Sequence, residues 1–459
     1  MTIRVLAIGL LLTLTAVPRA QNPIAQDWPS YGRDPGGARF SPLTQITRAN
    51  VSALKVVWRY HTGEPPTDVS RQPALEVTPI VVDGVMYIST PLGKVMAIDP
   101  ATGREIWRYD ARVDPRGGYG DFTSRGVATW LDSTVKPGTM CRRRIFATTV
   151  DARLIALDAT SGTRCQDFGV EGMIGLRQGL RIPPAFPNAY QVTSPPAVVN
   201  GLVITGSAVA DNSRAAPASG EVRAFDARTG ALRWTWDPIP QDAGDPAHAT
   251  WRNGSAARTG AANVWSVIAA DEARDLVFLP TSSPAPDYYG GLRPGDNRYA
   301  NSIVALRAST GTVVWHFQTV HHDLWDYDNA APPALVSIPR GGKMMPAVLQ
   351  ATKTGQLFVL HRETGAPLFP VEERAVPRST IPGEEASPTQ PFTTITPPLS
   401  PHRFTAEEAY GVTPEARAAC RQIIAGLRND GIFTPPSLEG TLAVPSNIGG
   451  AHWGGMAAD

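Results

Sequence analysis

The chain has 459 residues, of which 42 are basic and 41 acidic, so its formal net charge is +1. Such a balance predicts no basic surface and therefore excludes nucleic acid as an expected partner. Glycine and proline, with 42 and 43 residues, make up roughly a fifth of the chain against a usual share of about 12%, which favours tight turns over long helices.

The sequence begins with the pattern of a secretory signal peptide, residues 1–20. Arg4 gives a positive start, and the apolar run Val5–Val17 is too short to span a bilayer. Small residues at positions 17 and 20 predict cleavage after Ala20. A membrane anchor is the alternative interpretation of this run. We expect residues 21–459 to be exported to the periplasm.

Two stretches carry the turn pattern of β-hairpins. The turn is Asp83-Gly84 in "TPIVVDGVMYIST" and Asn200-Gly201 in "SPPAVVNGLVITGS". Asp-Gly and Asn-Gly between alternating apolar runs are the strongest short-range hairpin pattern, because both turn residues tolerate positive φ.

Five segments repeat an apolar pair, a Thr-Gly or Ser-Gly turn and a following strand. They are residues 97–110, 156–169, 224–237, 305–318 and 359–372. Three of them place a tryptophan shortly after the glycine, namely Trp107, Trp234 and Trp315. We expect these indoles to lie at equivalent places and to pack between one unit and the next.

A hairpin followed by one repeat segment makes a unit of about four antiparallel strands. Such units in series predict an all-β fold, a β-propeller of four-stranded antiparallel blades. A tandem array of β-sandwiches is the alternative, which the repeated tryptophan disfavours. A ring of blades hides its strand edges only when it closes. Because the chain ends at "GGAHWGGMAAD", where another strand would begin, we expect an incomplete ring.

The cysteines predict one bridge. Cys141 and Cys165 flank two predicted strands and their turn, and in an oxidising compartment they are placed to join the ends of that hairpin. Two free buried thiols are the alternative. Cys420 is then left over.

The stretch "HHDLWDYD", residues 321–328, concentrates two histidines, three aspartates and two aromatic residues. It is a candidate site, with a polar loop as the alternative. The chain contains no Cys-x-x-Cys-His, so no covalent haem is expected. His321 and His322 are therefore predicted to be structural or to support the site.

Four features together resemble the pyrroloquinoline quinone (PQQ)-dependent dehydrogenases. They are "DWPSYGRDPGGARFSPLTQITRANVSALKVVWRYHTGE" (27–64), the Thr-Gly-x-x-x-Trp turns, "HHDLWDYD" and "ATKTGQLFVLHRETG" (351–365). The resemblance covers the chain from about Asp27 and is specific for the glucose/quinate dehydrogenase branch. It implies an eight-bladed propeller with PQQ and a divalent ion on the axis, of which this chain would lack about the last two blades.

The resemblance implies oxidation of an alcohol, polyol or sugar hydroxyl to a carbonyl, by proton abstraction and hydride transfer to metal-bound PQQ. Asp326 stands where the family keeps its catalytic base, and a carboxylate within hydrogen-bond reach accepts such a proton. Lys353 in "TKTG" matches the family's basic residue against the quinone oxygens. Without the resemblance, Asp326 would be a loop cap and Lys353 a surface charge.

The resemblance also implies a hard ion, Ca²⁺ or else a lanthanide or Mg²⁺, held by several oxygen ligands. The matching residues are Asp211, Ser283, Asp326 and Asp328. Ser283 stands where alcohol-oxidising relatives have an asparagine, and its weaker hydroxyl favours the sugar branch. Asp328 is expected to face the same side of an extended strand as Asp326.

The residues that match the family's PQQ contacts are Glu76, Arg125, Thr193, Trp265 and Lys353. Trp265 matches the ring that stacks on one face of PQQ, and Arg125 matches an arginine that binds a PQQ carboxylate. The stretch 117–126 lacks the adjacent-cysteine disulfide of alcohol-oxidising relatives. His452-Trp453 replaces an Asn-Trp of relatives.

We expect these matching residues to converge on one axial cavity, where Asp211 and Asp326 would share a metal ion and Lys353 or Arg125 would balance the carboxylates. Two alternatives to the enzyme are a non-enzymatic scaffold of the outer-membrane assembly type and an inactive fragment. The scaffold needs neither acid, metal nor lysine. The electron acceptor is predicted to be a separate cytochrome or a membrane quinone.

Overall fold

A computed structural model describes residues 27–64, 72–212 and 214–459. The predicted signal peptide lies outside the described residues. Two α-helices occur in these ranges, α1 (Ser255–Arg258) and α2 (Pro414–Ala425), and none of the described helices is long and apolar enough to cross a membrane. The short 3-10 helices are Val51–Ala53, Pro187–Ala189, His248–Thr250, Glu272–Arg274, Gly290–Leu292 and Ala406–Glu408.

Strands make up most of the regular structure. In chain order they are β1 (Ala74–Leu75), β2 (Ile80–Val82), β3 (Val85–Ser89), β4 (Lys94–Ile98), β5 (Glu105–Asp110), β6 (Thr123–Ser124), β7 (Val127–Leu131), β8 (Arg143–Thr148), β9 (Arg153–Asp158), β10 (Met173–Gly175), β11 (Tyr190–Gln191), β12 (Ala197–Val199), β13 (Leu202–Thr205), β14 (Ala208–Val209), β15 (Val222–Asp226), β16 (Leu232–Trp236), β17 (Ala269–Asp271), β18 (Leu276–Pro280), β19 (Ser302–Arg307), β20 (Val313–Gln318), β21 (Ala334–Arg340), β22 (Lys343–Ala351), β23 (Leu357–His361), β24 (Val371–Ala375) and β25 (Thr389–Thr393).

Four antiparallel sheets of four strands follow one another along the described chain, which confirms the predicted propeller blades. Blade 1 is β2-β3-β4-β5, blade 2 is β7-β8-β9-β10, blade 3 is β12-β13-β15-β16 and blade 4 is β17-β18-β19-β20. Short ladders join β1 to β6 and β11 to β14. In each blade the first strand in sequence is one edge of the sheet, and apolar clusters fill the space between neighbouring blades.

Both predicted hairpin turns are present. Asp83 and Gly84 join β2 to β3 with φ of 52° and 77°. Asn200 and Gly201 join β12 to β13 with φ of 48° and 74°. Two successive positive φ values give the turn whose twist matches that of the flanking strands.

The three repeated tryptophans occupy equivalent places, as predicted. Each lies opposite an alanine at the bulge of the outer strand pair. Each indole N–H donates to a carbonyl oxygen of the next blade: Trp107 to Ala159 at 2.9 Å, Trp234 to Ala308 at 2.8 Å and Trp315 to Arg362 at 3.0 Å. The tryptophans therefore join neighbouring blades by both apolar packing and a buried hydrogen bond.

The glycine of the next blade's turn lies directly against each indole. A Cβ would come within 2.5 Å of Trp107 on Gly162, 2.7 Å of Trp234 on Gly311 and 2.6 Å of Trp315 on Gly365. These glycines also have positive φ. The turn thus needs glycine for two separate reasons, a left-handed backbone and room for the neighbouring ring.

Trp58 makes the same kind of contact with the glycine turn of blade 1, although the repeat pattern did not include it. Its Nε1 donates to the Pro100 carbonyl of blade 1 at 3.0 Å, and its ring lies 2.6 Å from a Cβ placed on Gly103. The similarity of "WRYH" (58–61) to "WRYD" (107–110) is the pattern that identifies it.

Blade 2 departs from the tryptophan pattern and carries the disulfide. Its outer strand places Ile174 against Gly230 of the next blade, where the other blades have an indole. Cys141 and Cys165 are bonded across the β8–β9 hairpin with a Cα–Cα distance of 5.8 Å, which confirms the predicted bridge.

The fifth unit differs from the prediction. Strands β21, β22 and β23 form a three-stranded sheet, and the strand expected after the last Thr-Gly turn, β24, pairs instead with β25. Pro367 and Pro370 follow that turn. The chain keeps one bridge to β23, between Leu360 and Pro367. Because proline has no N–H to donate, this pairing does not extend into a full fourth strand.

The contact between indole and glycine makes a stability prediction. Gly311→Ala should lower the free energy of unfolding by about 1–2 kcal/mol for the left-handed backbone plus about 1–3 kcal/mol for overpacking against Trp234. Gly201→Ala is the matched control, because its φ is 74° and its Cβ would meet nothing within 4 Å. Denaturant unfolding of both variants measures the difference. Equal losses would contradict the packing role of the indole.

Candidate active site

Most of the predicted site residues lie on the segments that lead into the first strand of successive blades, whereas Asp211, Ser283 and Lys353 follow β14, β18 and β22. Glu76, Arg125, Thr193 and Trp265 precede β2, β7, β12 and β17, and residues 326–328 precede β21. Because these first strands occupy equivalent positions in the blades, the segments meet at one end of the propeller. This explains how residues far apart in sequence come together.

Arg125 is the centre of the first group. Its guanidinium forms an ion pair with Glu76 at 3.0 Å and donates to the Thr193 hydroxyl at 2.7 Å, while its backbone N–H donates to the Thr193 carbonyl at 2.9 Å. Arg125 is only 4% exposed. Burial lowers the pKa of Arg125, and the charge of Glu76 opposes this shift. The Arg125 Nε has no hydrogen-bond partner among the described residues.

Two indoles lie against this guanidinium. The Arg125 carbon Cζ lies 5.0 Å from the ring centre of Trp265 and 5.6 Å from that of Trp453. His452 contacts Trp265 with ring centres 5.4 Å apart. The indole N–H of Trp265 donates to the carboxylate of Asp328, which connects the Arg125 group to the second group.

The second group is built on Lys353, whose side chain is 5% exposed. Its ammonium lies 2.6 Å from Asp328 Oδ1 and 3.2 Å from Asp326 Oδ2, and it donates to the Asp326 carbonyl at 2.9 Å. This confirms the expectation that a basic residue balances the carboxylates. The contacts therefore run without a break from Glu76 to Lys353.

The local backbone of "HHDLWDYD" is not the extended strand that was predicted. Asp326 has φ of 59°, and residues 326–328 belong to no strand. Asp326 and Asp328 nevertheless both contact Lys353. The side chains of Trp325 and Tyr327 are held elsewhere, since they donate to the backbone carbonyls of Thr434 and Val444 at 2.7 and 3.0 Å.

The electrostatics of the site favour protonated carboxyls. Burial, with repulsion from Asp328, raises the pKa of Asp326 to about 9, and Lys353 opposes the shift. Burial, again with Asp328, raises the pKa of Asp211 to about 7. Burial lowers the pKa of Lys353, but Asp328 and Asp326 outweigh it and raise the value overall. A bound cation or a cationic side chain is what keeps such carboxyls ionised.

The predicted metal ligands are not assembled as expected. In the ranges that the structure describes, no three histidine, cysteine, aspartate or glutamate side chains lie together in a way that would hold a metal ion. Lys353 pairs instead with both Asp326 and Asp328. The Ser283 hydroxyl donates to Asp323 instead.

Several residues near the site had not been singled out. Asp287 is buried, and its pKa is raised to about 10 by burial and by the charges of Asp211 and Asp326. Asp323 belongs to the stretch 321–328 that the sequence indicated. It is buried, and its carboxylate accepts hydrogen bonds from the backbone of the same loop. No turn or strand pattern in "SPAPDYYG" (283–290) would have identified Asp287.

The two histidines have structural contacts, consistent with the predicted supporting role. His322 hydrogen-bonds through Nδ1 to the Gly295 carbonyl at 2.6 Å, and burial lowers its pKa to about 3. His321 contacts the Gln318 side chain at 2.8 Å and Glu373 at 3.1 Å.

The C-terminal segment covers this end of the propeller. The Gly450 N–H donates to the Lys353 carbonyl at 2.7 Å, and the Trp453 carbonyl accepts from the Tyr31 hydroxyl at 3.1 Å. A Cβ on Gly449 would come 2.4 Å from the Lys353 side chain. This close approach requires glycine and brings Trp453 over Arg125.

The residues fit a flat, polyanionic quinone beside a hard cation. An indole face at Trp265, a buried guanidinium with an unpaired nitrogen at Arg125 and an ammonium at Lys353 suit a planar acid. Asp326 and Asp328 offer carboxylate oxygens of the kind that a hard ion binds, although with Asp211 they form no three-carboxylate site among the described residues.

The comparisons with known proteins agree with this geometry. The family model described as "PQQ: Glucose/ethanol/alcohol dehydrogenase, beta-propeller domain" matches residues 28–459. Quinoprotein glucose dehydrogenase A of Acinetobacter calcoaceticus is 39% identical over 97% of this chain and 57% of its own length. Quinate/shikimate dehydrogenase (quinone) of Acinetobacter baylyi is 37% identical over 99% of this chain and 57% of its own length.

The solved structure of quinohemoprotein alcohol dehydrogenase from Comamonas testosteroni is similar, with a TM-score of 0.64 and 31% identity over 80% of this chain and 52% of that one. The chain thus spans a little over half the length of the curated relatives it matches. On the extent of the family match and on these identities, the chain belongs to the family of PQQ-dependent glucose/ethanol/alcohol dehydrogenase β-propeller domains.

Proposed function

We propose that this protein is a PQQ-dependent dehydrogenase that oxidises a CH–OH group of a small alcohol, polyol or sugar to a carbonyl. The observation that carries the proposal is the continuous cluster from Arg125 and Trp265 to Lys353, Asp328 and Asp326. Most of these side chains are buried, so their charges would act strongly on a bound molecule. A scaffold gains nothing from burying these charges together.

Bound PQQ would supply the two-electron oxidant of the reaction. Arg125 would bind one of its carboxylates through its unpaired nitrogen, with Glu76 and Thr193 fixing the guanidinium. Trp265 would cover one face of the ring system. Lys353 would hold negative charge at the quinone oxygens.

Asp326 would accept the proton of the substrate hydroxyl. Its backbone carbonyl and its side chain both contact Lys353, which fixes the position of the carboxylate. A second positive charge beside Asp326 would keep the carboxylate ionised, as a general base requires. Ca²⁺, a lanthanide or Mg²⁺ would serve, with Asp211 and Asp328 as the further oxygen donors, whereas the Ser283 hydroxyl is taken up by its hydrogen bond to Asp323.

The names of the relatives support a range of substrates. They specify glucose, quinate or shikimate, and glycerol, all of which carry several hydroxyls. We therefore favour a polyhydroxy substrate. Electrons would leave to a separate cytochrome or a membrane quinone, and the reaction would take place in the periplasm.

Reconstitution tests this proposal. The protein is titrated with PQQ and Ca²⁺, and a dye-linked assay is run with glucose, quinate, glycerol and ethanol. Turnover is expected only when PQQ and the metal ion are both present, and faster with the polyhydroxy compounds than with ethanol. PQQ that fails to bind, measured by quenching of tryptophan fluorescence, would instead support the scaffold alternative.

A further inference from the structure

We propose that Asp323 is the positioning residue of this site: its carboxylate clamps the backbone on both sides of Asp326 and so holds the proton acceptor in place. The inference rests on the proposed function, because it assigns a role relative to Asp326. It also gives Ser283 a role as a support of Asp323.

The clamp consists of two backbone hydrogen bonds. Asp323 Oδ1 accepts from the Trp325 N–H at 3.1 Å, and Oδ2 accepts from the Tyr327 N–H at 3.0 Å. These are the residues immediately before and after Asp326. One carboxylate therefore fixes the peptide group that joins Asp326 to Tyr327 and, on the other side, the peptide group that precedes Trp325.

Asp326 needs such a clamp because its backbone is left-handed, with φ of 59°. This conformation is unfavourable for a residue with a side chain, so it persists only where surrounding contacts determine it. A change of φ to the right-handed or extended region would change the direction of the Asp326 side chain, which now contacts Lys353. The clamp thus selects the conformation in which Asp326 faces the site.

The clamp is itself rigidly supported. Asp323 is 1% exposed, and its Oδ2 also accepts from the Ser283 hydroxyl and from the Asn301 amide, the latter at 3.1 Å. Arg293, which is fully buried, donates to the Asp323 carbonyl at 2.5 Å and to the Asn297 side chain at 3.0 Å. The Asp323 carboxylate thus accepts four hydrogen bonds, two from the backbone of the loop and two from side chains. These bonds fix the carboxylate and the backbone that it contacts.

Asp323→Asn removes one acceptor oxygen while keeping the shape. The new NH₂ group would face N–H and O–H donors, so at least one arm of the clamp is lost. We expect kcat of the reconstituted enzyme to fall about 100-fold, the size of effect that a small misplacement of a reacting group produces. KM and PQQ affinity should change little, because Arg125, Trp265 and Lys353 are untouched.

Hydrogen exchange gives a readout that is independent of turnover. In the protein without PQQ, the amides of Trp325 and Tyr327 should exchange faster in Asp323→Asn than in the wild type. Asp271→Asn is the matched control, since Asp271 is also a buried carboxylate that accepts from Arg274 and Arg362. The control should lower thermal stability yet leave kcat and exchange in residues 321–328 unchanged.

Ser283→Ala is the milder second variant in case Asp323→Asn does not fold. It should speed exchange of the same amides and lower kcat less, with Ca²⁺ affinity unchanged. Weakened Ca²⁺ binding with normal exchange would make Ser283 a metal ligand and overturn the inference. Unchanged exchange or unchanged kcat in Asp323→Asn would also overturn it. A wild type that binds no PQQ, in contrast, would defeat the proposed function while the exchange result still tests the clamp.

Discussion

Asp326→Asn should leave PQQ bound and reduce kcat by about 10²–10⁴-fold, the usual contribution of a general base. Asparagine has nearly the shape of aspartate but cannot accept the hydroxyl proton. The contacts that would bind PQQ, at Arg125, Trp265 and Lys353, do not involve the altered group except for one ion pair with Lys353. The measurement pairs a dye-linked assay of kcat with a fluorescence titration of PQQ.

The control for this prediction is Asp237→Asn. Asp237 is a largely buried carboxylate in an ion pair with Arg181 at 2.6 Å, and it directly follows β16, the outer strand of blade 3. It should reproduce any general cost of losing a buried charge while kcat stays at the wild-type level. Near-normal turnover in Asp326→Asn would remove Asp326 from the mechanism, and "HHDLWDYD" would then be a structural loop.

The fold was predictable where short sequence patterns have a single physical cause. Asn200-Gly201 specifies a hairpin because both residues adopt positive φ at little cost. The Thr-Gly turns specify the blade junctions because a neighbouring indole lies against the glycine. Cys141 and Cys165 were predictable from the strands between them. In each case the decisive contact is either local or repeated along the chain.

The sequence predicted which residues belong to the site but not how they are arranged. The match to the family placed Asp326, Asp328 and Lys353 together, yet the left-handed backbone of Asp326 and its clamp by Asp323 depend on contacts with residues 283–301. Nothing in "HHDLWDYD" itself distinguishes an extended segment from this turn. Trp58 was missed because its segment lacks the Thr-Gly turn before it, and the fifth sheet was overcounted because two prolines interrupt its last strand.

Lys353→Ala should weaken PQQ binding, reduce kcat and destabilise the protein together. The ammonium lies 2.6 Å from Asp328 and 3.2 Å from Asp326, whose side chains are 3% and 19% exposed. Removing one partner of a buried ion pair costs about 3–5 kcal/mol, because the remaining charge has no compensation. Denaturant unfolding of the protein without PQQ measures this loss, and the PQQ titration measures the second effect.

A double variant separates the two roles of Lys353. In Lys353→Ala with Asp328→Asn, the Asp328 charge is removed together with its partner, and the remaining carboxyl, Asp326, has a pKa that burial raises to about 9. Unfolding stability should therefore recover by more than additive single effects allow. PQQ affinity should stay low, since the positive charge at the quinone oxygens is still missing. If affinity recovered together with stability, Lys353 would act on the cofactor only by keeping the two aspartates in place. If neither stability nor PQQ affinity recovered, the loss in Lys353→Ala would not come from the broken ion pair with Asp328. The charge balance that we infer for this site would then be wrong.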